Sequence, residues 1–130
     1  MRLAIAVHGA PYSSQAARSA LRFARAAIAA DHTIHRVFFY HDGVHSASLL
    51  NVPPQDEPSP QAGWRELAEA HQVELAVCIA ASLKRGIVDA DEAARYELPG
   101  SNVHPAFVIV GLGQLIEAIG SSDRFVTFAA

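Results

Sequence analysis

One cysteine, Cys78, is all the thiol chemistry this 130-residue sequence carries. That count excludes an intramolecular disulfide, a four-cysteine zinc site and a Cys-x-x-Cys redox pair together. No apolar run approaches the ~20 residues of a membrane-spanning helix, because arginine, proline or glycine interrupts each one. An excess of positive charge is missing too: ten Lys and Arg stand against thirteen Asp and Glu, a formal net charge of −3 with pI near 6.1. The cations are scattered, so the electrostatic footprint of a nucleic-acid binder is absent and no direct grip on RNA or DNA is expected. Motifs are lacking as well. There is no Gly-x-Ser-x-Gly elbow and no carboxylate pair spaced for glycosidase-type work. Gly111-Leu112-Gly113 lacks the third glycine, the Lys-Ser/Thr and the acidic ribose partner of a nucleotide fingerprint, so close helix packing is the expected reason for those glycines.

What the sequence does contain is a full core. Apolar residues make up 51% and charged residues 18%, with a mean hydropathy of +0.16, which excludes a disordered chain. Residues 1–130 are expected to form a single domain that hides roughly two-thirds of its unfolded surface. Residues 1–9 look superficially like a signal peptide. Their apolar run stops at Val7, however, and Arg18, Arg22 and Arg25 follow, so the segment reads as a first strand and the chain as soluble and cytoplasmic.

Strand and helix patterns alternate along the chain. Residues 3–7 form a short apolar run ended by His8-Gly9-Ala10-Pro11, as for a strand buried on both faces. Ser13 or Ser14 is placed to cap a helix over 15–30, with Ala17, Leu21, Ala24 and Ile28 on one face and the three arginines on another. Residues 33–40 are β-branched and aromatic and precede a turn at His41-Asp42-Gly43. Residues 51–60 hold four prolines and make the one long loop, a candidate lid or partner contact. A helix is expected over 61–72, a strand over 73–77 ending at Cys78, and a short helix stopping at Gly86 with Lys84 and Arg85 as solvated charges. Asp89 and Glu92 suggest an acidic capping box. Residues 107–110 read as a fourth strand, and Leu112, Leu115, Ile116 and Ile119 mark a helix that Gly120 closes. Residues 124–128 complete an α/β fold, a three-layer α/β/α sandwich on a mainly parallel sheet of about five strands.

Open α/β sheets bind ligands at the carboxyl ends of their strands, where this reading places His8, His41 and Cys78. Cys78 stands where a strand ends and a helix begins, so free N–H groups and the helix dipole would favour its thiolate. A free cysteine is equally at home as a small buried filler. His8 would approach the sulfur if the first and third strands were neighbours, and a solvated loop histidine is the plainer reading. His32, His35, His41 and His45 suggest a metal cluster by count, but His32 and His35 point to opposite strand faces and Gly43 interrupts the other pair. Neither a metal nor any other cofactor is expected.

The segment Glu74-Leu75-Ala76-Val77-Cys78-Ile79-Ala80-Ala81-Ser82-Leu83-Lys84-Arg85-Gly86 resembles the cysteine segment of the DsrE/TusD sulfurtransferase family. Val37-Phe38-Phe39-Tyr40-His41-Asp42-Gly43-Val44 is similar to that family's second strand and turn, and residues 107–123 to its C-terminal helix region. The resemblance runs over 2–128, and one departure is that Phe107-Val108-Ile109-Val110 is more apolar than the family pattern. It implies a DsrE-like fold and a persulfide carried on Cys78, taken from a small TusA-like donor and passed to a TusE-like acceptor. It further implies a heterohexamer with two homologous, TusB- and TusC-like subunits. The pattern favours the branch serving 2-thiouridine formation at the tRNA wobble position over the branch of dissimilatory sulfur oxidation. Two other readings stay open from the residues: a non-catalytic assembly subunit with a structural Cys78, and a peroxide-sensing thiol that lacks a resolving cysteine in the chain.

Overall fold

The computed structural model describes residues 1–130. Five strands, β1 (Arg2–Val7), β2 (Thr33–Phe39), β3 (Glu74–Cys78), β4 (Phe107–Val110) and β5 (Arg124–Phe128), form one sheet in the order β4-β3-β2-β1-β5. Every pairing is parallel. Five helices connect them: α1 (Ala16–Ala29), α2 (Pro60–His71), α3 (Ile79–Leu83), α4 (Ala90–Arg95) and α5 (Gly113–Gly120). The segment expected as a simple turn after β2 is instead a seven-residue 3-10 helix, His41–Ala47. The three-layer α/β sandwich follows, because each parallel crossover lays its helix on a sheet face.

Strand alternation divides the side chains between two unequal layers. On one face Phe39 meets Trp64 of α2 edge to face at 5.3 Å and Phe107 at 5.5 Å, while Ala17, Leu21 and Ala24 bury the flank of α1. Fully burying side chains such as Trp64, Phe38 and Phe39 stabilises the fold by roughly 1.5–3 kcal/mol each. The opposite layer is thin. In α5 only Ala118 is buried, and Leu112, Ile116 and Ile119 face outward although their spacing is what marks the helix. Polar ties hold α5 in place: Arg36, 8% exposed, donates to the Gln114 carbonyl at 2.8 Å and pairs with Glu74 and Glu117. His35 Nε2 also lies 3.0 Å from Glu117. A hydrogen bond from the Ser121 hydroxyl, followed by those from His35 and Arg36, holds the Glu117 carboxyl down at about 2.

Helix ends show where the local reading needs revision. Pro60, expected to close the loop, is the first residue of α2 instead, since a helix's first N–H needs no partner; Ser59 Oγ caps it by accepting from Ala62 N. Ser14 Oγ accepts from Ala16 N, but the residue at the N-cap of α1 is Gln15. Asp89 caps α4 by accepting from Glu92 N, and the reciprocal half of the box does not form. Gly86, at φ +71°, reverses the chain after α3 as expected. A Cβ on Gly111 or Gly113 would meet nothing within 4 Å, so close packing does not account for those glycines.

Candidate functional site at the carboxyl end of the sheet

Cys78 ends β3 and is the N-cap residue of α3, with extended backbone at φ −62° and ψ 123°. Its side chain makes no capping hydrogen bond. The register sets Arg36 beside Glu74, and therefore Glu74, Ala76 and Cys78 on the sheet face that carries α5. The sulfur is enclosed there: Cys78 is 1% exposed and belongs to the apolar core. Its strand partner on the outer side is Val110.

Extending the register by one residue sets Tyr40 beside Cys78, and His8 beside Tyr40. The condition under which His8 would approach the sulfur, β1 and β3 as neighbours, is therefore not met. β2 lies between them, and two strand spacings, about 10 Å, separate the backbones of His8 and Cys78. The side chain that intervenes is Tyr40, which the sequence reading did not single out. The residue type alone gives no sign of its place; the strand order does. Tyr40 packs its ring 4.2 Å from that of His41 and 5.8 Å from that of His8, and the two imidazoles lie 5.0 Å apart. Burial, and after it the charge of His41, lowers the pKa of His8 below its ordinary value. Both causes favour the neutral imidazole over the charged one.

The 3-10 helix packs against α3 and the ends of β2 and β3, the elements that meet at Cys78. Two devices lock it there. Gly43 donates to the His8 carbonyl at 3.1 Å and comes so close to β1 that a Cβ would stand 2.1 Å from the Val7 carbonyl oxygen. Arg85, expected as a solvated charge, reaches back from beyond α3: its Nε donates to Asp42 Oδ1 at 2.7 Å and its NH1 to the Ala81 carbonyl at 3.1 Å. That hydrogen bond, more than simple charge, lowers the Asp42 pKa. The guanidinium is thus paired with Asp42 and not with Cys78.

The histidines that look like a cluster in sequence divide between the two ends of β2. His32 lies 2.8 Å from the N-terminal amine and His35 bonds Arg2 and Glu117 at one end. His41 and His45 lie at the other. Gly43, expected to interrupt the pair, instead lies inside one continuous 3-10 helix, and it is the three residues per turn that keep positions i and i+4 from aligning. The proline loop runs beside Tyr12 and the start of α1, with Leu50 and Val52 exposed.

What this arrangement offers chemically is one enclosed thiol at a strand end, one strand from Tyr40 and two strands from His8, near a pinned helical segment. Comparison with known proteins gives it a context. The chain matches the DsrE/DsrF-like family over residues 1–128. It is 48% identical over 128 residues to the putative sulfurtransferase DsrE of Allochromatium vinosum, covering 98% of each chain. It is 52% identical over 128 residues to the sulfurtransferase TusD homolog of Pseudomonas aeruginosa, covering 98% of this chain and 97% of that one. Among solved structures, the ychN protein from E. coli superposes with a TM-score of 0.77 over 98% of this chain and 99% of the other. At 24% identity, that likeness concerns the fold.

Proposed function

Because this chain belongs to the DsrE/DsrF-like family, we propose that it is a sulfurtransferase subunit of a sulfur relay, with Cys78 as the persulfide carrier. The observation that carries the reading is the position of the one thiol, where a strand ends and a helix begins at the ligand-binding end of the sheet. In the reaction, the Cys78 thiolate attacks the terminal sulfur of a persulfide on a donor protein. The donor's S–S bond breaks, the donor leaves as a thiolate, and Cys78 holds the new persulfide. No net oxidation occurs, and no metal or nucleotide takes part. The second transfer repeats the exchange with an acceptor thiol. Since the chain has one cysteine, donor and acceptor thiols both come from other proteins.

The proposed relay runs from a TusA-like donor to a TusE-like acceptor in the cytoplasm and serves 2-thiouridine formation at the tRNA wobble position. Identity to TusD-named proteins supports this branch, while the similar identity to a DsrE-named protein supports sulfur oxidation as the alternative. Assembly with two homologous subunits into a heterohexamer is part of the proposal, and the outward apolar stripe of α5 supports it.

Incubation with a persulfidated donor followed by intact mass measurement tests the carrier role. A gain of one sulfur on wild type and none on Cys78→Ser is expected; no adduct, or an equal adduct on the variant, overturns it. Loss of wobble thiolation in cells carrying only Cys78→Ser distinguishes the tRNA branch from sulfur oxidation. The burial of Cys78 favours a second reading, an assembly subunit in which the thiol is packing. An alkylation rate no faster in the assembled complex than in the isolated chain, together with intact assembly of Cys78→Ser, would select it.

A further inference from the structure

A site of a different kind lies on the other side of the sheet. Arg18, Arg22 and Arg25 follow one another at i, i+4 and i+7 along α1, and all three line a cavity of about 150 Å³. Residues 58–60 and Gly63, at the start of α2, form its opposite wall. The space is well above the ~10–15 Å³ that one water needs.

The charges around it are unbalanced. None of the three arginines on α1 meets a carboxylate within 4.0 Å, which is equally true of Arg2, Arg65, Lys84 and Arg124; what sets the three apart is that they line one cleft. Glu57 borders an adjoining depression with Arg18 and forms no ion pair with it. Like charges at i, i+4 and i+3 repel along a helix. Arg18 also sits in the first turn of α1, which contains no acidic residue and where the helix dipole opposes a cation. The N-terminal end of α2 adds positive potential from the facing wall. The three side chains are solvent-exposed, so water and salt screen their mutual repulsion, and an anion in the cleft adds an attraction to each guanidinium that offsets it. Guanidinium forks match tetrahedral oxygens, which selects a phosphate-class oxyanion over a halide.

We propose that the cleft between α1 and α2 binds a small phosphate-class oxyanion through Arg18, Arg22 and Arg25, independently of Cys78 on the opposite face. The ion is either free phosphate or the terminal group of a small phosphomonoester. Calorimetric titration of the full chain at low ionic strength, with inorganic phosphate and with adenosine monophosphate, tests it. Saturable one-site phosphate binding is expected, weakened about ten-fold by Arg22→Gln and lost when all three arginines become glutamine. Tighter binding of the monophosphate than of phosphate identifies the ester as the source; equal or weaker binding identifies the free ion. Phosphate should raise the melting temperature of wild type and leave that of the triple variant unchanged. In phosphate-free buffer Arg22→Gln should melt no lower than wild type, because a repulsion is relieved. Lower melting there would mean a structural arginine and would overturn the proposal. So would absent or non-saturable binding, binding retained by the triple variant, or preferential capture of an acidic peptide such as hexaglutamate. Sulfur loading of Cys78 in the triple variant is expected to be normal, so this site and the carrier role fail separately.

Discussion

Gly43 reaches the Val7 carbonyl because it has no side chain, and that contact sets how closely the 3-10 helix seats on the end of β1. Adding a methyl group forces the helix outward against its hydrogen bonds to His8 and Tyr40. Gly43→Ala should therefore cost about 1–3 kcal/mol, read from a urea midpoint, as overpacking does elsewhere. The same variant should alkylate faster at Cys78 under native conditions, since the displaced segment packs on the elements that enclose the sulfur. An unchanged rate with reduced stability would disconnect that segment from access to the thiol. His41, at φ +48°, takes the left-handed conformation as the first residue of this helix, so the backbone is strained where the aromatic group of His8, Tyr40 and His41 assembles. A residue-by-residue reading of the sequence marks Cys78 by its rarity and position. It cannot mark Tyr40 or Gly43, whose roles are contacts with strands more than thirty residues away.

Between elements, two polar ties do work that apolar packing does elsewhere. The Arg85–Asp42 bond joins the 3-10 helix to the segment after α3. Asp42→Asn should raise the native alkylation rate of Cys78 while leaving the urea midpoint nearly unchanged, because the pair is solvent-exposed and screened. The second tie is Glu117 of α5 to Arg36 and His35. The Glu117 carboxyl ionises at about 2 in the folded chain, below its ordinary 4.5, so the folded state binds fewer protons than the unfolded one between those values. Its contribution is therefore complete above pH ~4.5 and disappears as pH falls toward 2. Glu117→Gln should lower stability at neutral pH, and the difference from wild type in urea midpoint should shrink over that acid range. Hydrophobic periodicity correctly locates α5 but implies that its apolar stripe faces the sheet. The partners of Glu117 on β2 rotate the helix the other way, and they lie about eighty residues distant in sequence.

The whole molecule is lopsided: a thick apolar layer under α1 and α2, and a thin one under α5 with Ile116 70% exposed. Apolar surface of that kind on a subunit is covered by association or remains a liability to aggregation. Ile116→Asp should leave the monomer folded by circular dichroism and abolish association with homologous subunits by native mass spectrometry. Retention of the full complex would remove α5 from the proposed interface. No helix is long and apolar enough to cross a membrane, in line with the interrupted apolar runs of the sequence.

The sequence by itself determined the alternation of strands and helices, the α/β class, the approximate ends of all five strands and the place of Cys78 at a strand end. Those follow from periodicity, capping residues and turn chemistry, interactions that reach only a few residues along the chain. Only the tertiary structure decided the order β4-β3-β2-β1-β5, which separates His8 from Cys78 and puts Tyr40 between them. It also decided the closure over the thiol, the outward turn of α5 and the convergence of three arginines on the start of α2. Parallel strands are joined through crossovers rather than hairpins, so which strands become neighbours is set by how helices pack on the sheet, and no local pattern records it.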